Sequence, residues 1–262
     1  MQNILILEFL FYIGSIFGWV IELFFRRFVS TKQWINPGFL TGPYLPIYGF
    51  GLCTLYLLAN IDMSFIENNV LQKVIIILFI TIAMTLIEYI AGIIFIKTMK
   101  VKLWDYSNEV GNIDGIICPK FTLYWAVAGT IYYFFINSHI LNAIIWLTNN
   151  LIFSFVIGYF FGIITIDAFN SFGIAVKLRK FAKDNDLLVK FEELKSEIRR
   201  REIERKEKIH FVLPFKTAEK LIKSLEEYKE QLLKKSIYNK NKNKKRGFKL
   251  FVNNSVDKKE IQ

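Results

Sequence analysis

The chain has 262 residues, 53% of them hydrophobic, and a formal net charge of +11. That charge is unevenly placed: residues 1–176 hold 8 Lys/Arg against 9 Asp/Glu, and residues 177–262 hold 26 against 14. The long uncharged runs of the first part exclude a water-soluble core, and because the basic excess belongs to the tail it does not argue for nucleic-acid binding.

In chain order, five apolar runs read as membrane helices, since backbone polar groups in lipid must be satisfied within the segment. They are residues 4–25, 43–60 (shorter), 74–96, 116–136 and 143–169. The first run lacks a basic flank and a small-residue cleavage site, so it reads as a retained span. Lys and Arg gather in alternate connections. Arg26, Arg27 and Lys32 follow the first run and Lys97, Lys100, Lys102 and Lys120 flank the third connection, whereas the other connections have only Lys73. The positive-inside bias then predicts a multi-pass protein of the cell membrane with its N-terminus outside and loops 26–42, 97–115 and the tail in the cytoplasm.

Two stretches read alike. Ile-Glu at Glu22 and again at Glu88 is followed by a loop Trp (Trp34, Trp104), a Gly (Gly38, Gly115), a Pro (Pro43, Pro119) and a Tyr (Tyr48, Tyr124). Spans 1–2 and 3–4 would then be two like-oriented hairpins. Pro43 and Pro119 are expected in the first turn of spans 2 and 4, where a missing N–H costs little, and Gly38 and Gly42 would let backbones approach. The predicted fold is therefore all-α: a polytopic bundle of about five spans, two parallel hairpin repeats plus a fifth helix, with a cytoplasmic helical extension.

Ionisable groups inside spans need a reason. Glu22, Glu88 and Asp167 all fall at the cytoplasmic end of their runs. Either they share an acidic pocket for a cation, a proton or a cationic headgroup, or they are three structural carboxylates capped by loop N–H groups, Tyr or Trp donors, or Arg26 and Lys97. In the loop "LWDYSNEVGNIDG", Trp104, Asp105 and Tyr106 are adjacent; Asp105 would cap the Ser107 or Asn108 N–H or meet Arg26 or Arg27. With Trp34, Asn36, Gly38, Gly42, Pro43, Tyr48 and Gly115, these three form a candidate cytoplasmic loop site. Gly14/Gly18 and Gly158/Gly162 are small-residue pairs suited to close helix crossings within the bundle.

Cys53 and Cys118 fall in predicted helices, and with the distant His139 (outer loop) and His210 (tail) make no metal-ligand spacing. No phosphate-cradling loop, nucleophile triad or dinucleotide fingerprint is present. No enzyme activity, cofactor or metal is expected, and an ATPase would have to be a separate chain. In the tail, Leu187, Phe191, Leu194 and Ile198, then Ala218, Ile222, Leu225 and Leu232 after the breaker Pro214, suggest a helical hairpin or short coiled coil over 177–238. Residues 239–262 are basic and read as a disordered tail, either solvated or touching anionic lipid.

The segments "GWVIE", "NPGFLTGPYLPIYGFG", "EYIAG", "LWDYSN" and "DGIICPKFTLYW" together resemble the CmpB-like membrane proteins, the ABC-transporter permease family of type IV. The pattern falls on Gly18, Trp19 and Glu22; on Asn36, Gly38, Phe39, Leu40, Gly42, Pro43, Pro46, Ile47, Tyr48, Gly49 and Gly51; on Glu88 and Gly92; on Trp104, Asp105 and Tyr106; and on Gly115, Cys118 and Trp125. Pro119 departs from it. The resemblance covers about residues 10–180 and implies a permease-like subunit of unstated substrate, powered by a partner ATPase or working as a homo-oligomer. The alternative is a membrane scaffold or regulator whose cytoplasmic helices bind a partner.

Overall fold

The first apolar run forms a single helix, α1 (Gln2–Phe28), whose 27 residues rise about 40 Å and so exceed the ~30 Å hydrocarbon core. Arg26 and Arg27 close its last turn, where cations meet the negative end of the helix. The structure, a computed structural model, describes residues 2–30, 32–204 and 223–234.

After the loop 29–45 comes α2 (Pro46–Ala59). Its 14 residues reach only about 21 Å, too short to cross unaided. Pro46 occupies its first turn, whereas Pro43, expected there, lies exposed in the preceding loop. Pro at position 46 suits the start because its fixed φ is helical and its absent N–H would be unpaired anyway.

Helix α3 (Asn69–Ile94) is capped by Asn68, whose side chain accepts from the N–H groups of Val70 and Leu71. A π-helical turn, Phe95–Met99, extends it. The chain then turns through Lys100 in a left-handed conformation (φ 56°) into β1 (Val101–Lys102). Helix α4 (Pro119–Ile131), with Pro119 in its first turn as expected, passes through a second π-helical turn (Tyr132–Ile136) into α5 (Asn137–Asn149). The three make one apolar helix, Pro119–Asn149.

The expected fourth and fifth spans thus have different bounds. The chain does not break at Asn137–His139; the widened π turn carries the helix through, and His139 sits exposed on α5 rather than in an outer loop. The break falls at Asn150, outside the helical region of the backbone (φ −128°, ψ 56°). After a short 3-10 turn (Leu151–Phe153), α6 (Ser154–Asp184) runs unbroken past position 176. Among the described residues, four helices are long and apolar enough to cross a membrane, and Pro46–Ala59 is a shorter apolar one. The chain is an all-α polytopic helical bundle.

Helices α1 and α2 form one antiparallel hairpin and α3 and α4 another, as the repeat suggested. Leu10, Ala59, Tyr132, Ile140 and Ile144 bury a core between the first hairpin and α5; Phe9, Leu147 and Ile157 bind the start of α1 to the α5–α6 turn. The small-residue pairs divide. A Cβ at Gly14 or Gly18 would strike Tyr48, so that pair sits at the α1–α2 crossing, whereas Gly158 and Gly162 on α6 face nothing within 4 Å.

Beyond α6, the expected helical hairpin does not begin at once. Leu187 lies in a turn, β2 (Val189–Lys190) pairs parallel with β1, and α7 (Phe191–Glu204) follows. Phe191, Leu194 and Ile198 are buried, and the Phe191 ring lies 5.2 Å from that of Phe39 in the first loop. Residues 214–262 form a second unit. Within it, 223–234 is helical and carries Leu225 and Leu232. Pro214, Ala218, Ile222, His210 and the 239–262 tail lie outside the described residues.

Candidate functional site

Loop 29–45 meets α7, and loop 103–118 meets β2 just before it, in a polar cap at one end of the bundle. Three carboxylates lie at its edge.

Glu22, one turn before Arg26 on α1, accepts from Arg26 Nε at 3.1 Å, the pairing its i,i+4 spacing favours. Its other oxygen accepts from the Tyr48 hydroxyl at 2.8 Å. Glu88 on α3 is 6% exposed and accepts from Tyr106 Oη at 3.0 Å and Trp125 Nε1 at 2.9 Å. The rings of Tyr48 and Trp125 lie 6.3 Å apart, so the aromatic donors of Glu22 and Glu88 pack on each other between the two hairpins. The repeat is real in space but one residue out of register: Trp125, not Tyr124, holds the second Glu, and Tyr124 is exposed.

Asp167 has a separate set of partners. Its Oδ2 accepts from the Thr41 and Gly42 backbone N–H groups, each at 2.9 Å, and from Tyr44 Oη at 2.5 Å. Its Oδ1 accepts from the Thr41 and Ser171 hydroxyls at 2.5 and 3.2 Å. This carboxylate fills a cradle of backbone and hydroxyl donors, and so pins loop 36–45 to α6. Each of the three acids has its own donors: Arg26 and Tyr48 for Glu22, Tyr106 and Trp125 for Glu88, and the loop and Ser171 for Asp167; Lys97 takes no part.

The loop is shaped by Asn36. Its Oδ1 accepts from Trp19 Nε1 at 2.8 Å, and its Nδ2 donates to the carbonyls of Leu40 and Thr41. Gly42 is needed because a Cβ there would sit 2.3 Å from the Tyr44 ring, the ring that reaches Asp167. Trp34, by contrast, is outside the site: 40% exposed, it packs on Phe24 and Phe28 beneath the Arg27 guanidinium, as an interfacial aromatic would.

In the second loop, Trp104 Nε1 donates to the Ile116 carbonyl at 2.9 Å. Asp105 accepts from the Ser107 N–H, the expected local cap. It does not meet Arg26 or Arg27; its ion partners are Lys102 at 2.7 Å and Lys190 at 2.6 Å. Burial alone would raise its pKa, but hydrogen bonds from Lys102, Lys190 and Ser107 hold the carboxyl well below the usual range. Gly115 adopts φ 62°, and a Cβ there would sit 2.4 Å from both Lys102 Nζ and Ser107 Oγ, so only Gly suits this turn.

Helix α7 fastens the cap. Glu192 pairs with Arg26. Lys195, 6% exposed, donates to the Asn36 carbonyl at 3.0 Å and to that of Gly38, and its amine lies 4.5 Å from the Phe191 ring centroid. Arg26 therefore spans two acids on different elements, Glu22 and Glu192. The sequence reading missed Thr41, Glu192 and Lys195, and named Trp125 only as part of the family pattern, not as a site residue. Thr41 and Glu192 carried no signal beyond their type, while Lys195 follows the apolar Phe191–Leu194 face and could have been noticed there.

Comparison with known families returns one described as "Putative ABC-transporter type IV", which matches residues 9–172. The chain belongs to this family. No curated protein and no solved structure matches it. The type IV match covers Glu22, Glu88, Asp167 and both cap loops; α7, with Glu192 and Lys195, lies beyond it.

For this ABC-transporter type IV chain, Lys195 predicts a pH effect. Burial, then repulsion from Arg26, lowers its pKa from 10.5 to about 7, with Glu192 opposing. Between those values the unfolded chain holds a proton that the folded chain has released, so stability rises with pH across the window. Lys195→Met removes the titrating group. The stability of the parent relative to this variant should increase by up to ~1.4 kcal/mol per pH unit above pH 7. Denaturant unfolding at pH 7, 8 and 9 measures it; a pH-independent difference would count against a buried, depressed lysine.

Proposed function

We propose that this transporter-like membrane protein is the permease-type subunit of a transport system whose ATPase is a separate chain, and that the polar cap is the face on which that partner acts. The carrying observation is the cap itself: α7 is joined to α1 by Arg26–Glu192 and to the first loop by the Lys195 bonds, β2 just before it is joined to the second loop by Lys190–Asp105, and through Thr41–Asp167 the first loop connects to α6. A force applied to α7 would reach the spans through these contacts. In this reading the cap is cytoplasmic and the start of α1 lies outside, as the basic residues of the cap loops favour. The chain itself hydrolyses nothing, consistent with a sequence that lacks a phosphate-cradling motif.

The test is purification of the full chain from its native membrane, with identification of bound proteins and assay of ATP hydrolysis. A co-purifying P-loop ATPase, released when Arg26 and Lys195 are replaced, is the expected result. A non-ATPase partner retained through residues 205–262 would instead favour the scaffold or regulatory role, and overturn this one.

A further inference from the structure

A groove of about 460 Å³ runs down the outer side of the second hairpin. Thr81 of α3 and Thr122, Leu123 and Ala126 of α4 form its walls, and Ile113 and Ile117 of the second loop close its end. Its walls belong to two spans, so hydrocarbon, not water, is the solvent at its mouth. The closed end is a built feature. Ile113 and Ile117 pair as a short antiparallel bridge, and Asn112 Nδ2 donates to the carbonyls of Ser107 and Glu109. The same turn leaves Val110 92% exposed. An apolar residue so exposed in a polar loop fits immersion in the boundary of a bilayer rather than contact with water.

At the rim stand a cation and an anion, Lys120 and Glu109, 2.9 Å apart with side chains 51% and 35% exposed. Lys120 lies in the first turn of α4, where the positive end of the helix also favours an anion. A net-neutral pair of this kind complements a zwitterion: phosphate toward Lys120, ammonium toward Glu109.

We propose that this groove is a phospholipid site, holding one acyl chain between α3 and α4 with a zwitterionic phosphoethanolamine headgroup on Lys120 and Glu109. The occupant comes from the leaflet on the cap's side. The site is independent of any ATPase partner.

The full chain is delipidated in detergent and given equimolar phosphatidylethanolamine and phosphatidylglycerol with identical chains, and retained lipid is read by native mass spectrometry. The parent should retain one phosphatidylethanolamine in preference to phosphatidylglycerol. Ala126→Trp, which fills the groove, should reduce retention of both lipids at least tenfold, the acyl chain being the larger contribution. Lys120→Glu should weaken retention about fivefold. Equal retention by the parent and Ala126→Trp, or preference for phosphatidylglycerol, overturns the proposal. A parallel measurement needs no variant: phosphatidylethanolamine with a photoreactive acyl chain should label Thr81, Thr122 and Ala126 of the parent, and labelling spread evenly onto the exposed face of α6 would also overturn it.

Discussion

Asp167→Ala should destabilise the protein by about 3–4 kcal/mol, because it strands several buried donors, each costing about 1–3 kcal/mol when unpaired. The donors at risk are the backbone N–H groups of Thr41 and Gly42 and the hydroxyls of Thr41, Tyr44 and Ser171. Asp167→Asn separates charge from satisfaction. Hydroxyls can rotate to accept from an amide but backbone N–H groups cannot, so an Asn that turns its oxygen toward Thr41 and Gly42 keeps most of the cradle. It should lose less than half as much as the Ala variant. Thermal unfolding in detergent ranks the pair, and amide exchange at Thr41 and Gly42 locates the effect: both N–H groups should exchange faster in Asp167→Ala. Equal losses in the two variants would show that charge, not donor satisfaction, holds loop 36–45 on α6.

The α1–α2 crossing should be the least tolerant place in the bundle. A Cβ at Gly49 would lie 2.8 Å from the Phe11 backbone oxygen and 2.4 Å from Ser15 Oγ, and one at Gly14 would lie 2.7 Å from the Tyr48 carbonyl oxygen. Two of these neighbours are backbone, which cannot turn aside as a side chain does, so the helices must separate. Gly49→Ala should cost about 2–3 kcal/mol and Gly49→Leu should prevent stable folding. Gly158→Ala, with no atom within 4 Å of the new carbon, should be neutral or stabilise by up to ~1 kcal/mol through helix propensity. Thermal unfolding of the purified variants decides, and comparable losses at Gly49 and Gly158 would mean that a partner, not α2, sets the tolerance of these glycines. The contrast also links packing to the site: opening this crossing moves Tyr48 away from Glu22, to which its hydroxyl donates.

The membrane character and the two hairpins were legible from residue patterns alone. Apolar runs near 20 residues long have few alternatives, and of the repeated order the Ile-Glu survives in space, each Glu meeting an aromatic donor from the following helix, whereas Trp34 and Pro43 do not match Trp104 and Pro119. The Glu22–Arg26 pair was legible for the same reason, since four-residue spacing on a helix is local geometry. The span bounds between Tyr132 and Ser154 were not. Asn137, Ser138 and His139 look like a loop, but a π turn keeps them helical, and that depends on backbone spacing and on Tyr132 being buried.

What the sequence by itself determined is which segments leave water: hydropathy is summed over neighbouring residues, and neighbours in the chain suffice to decide it. The same local arithmetic placed three acids near one end of the spans and made Pro119 a helix start. Only the tertiary structure decided how those acids are satisfied. All the donors to Asp167 but Ser171 come from residues 41–44, more than 120 positions away, and the bonds from Lys195 to Asn36 and Gly38 cross more than 150. A buried polar group must find a partner wherever the fold brings one, and no pattern of adjacent residues records which loop will arrive.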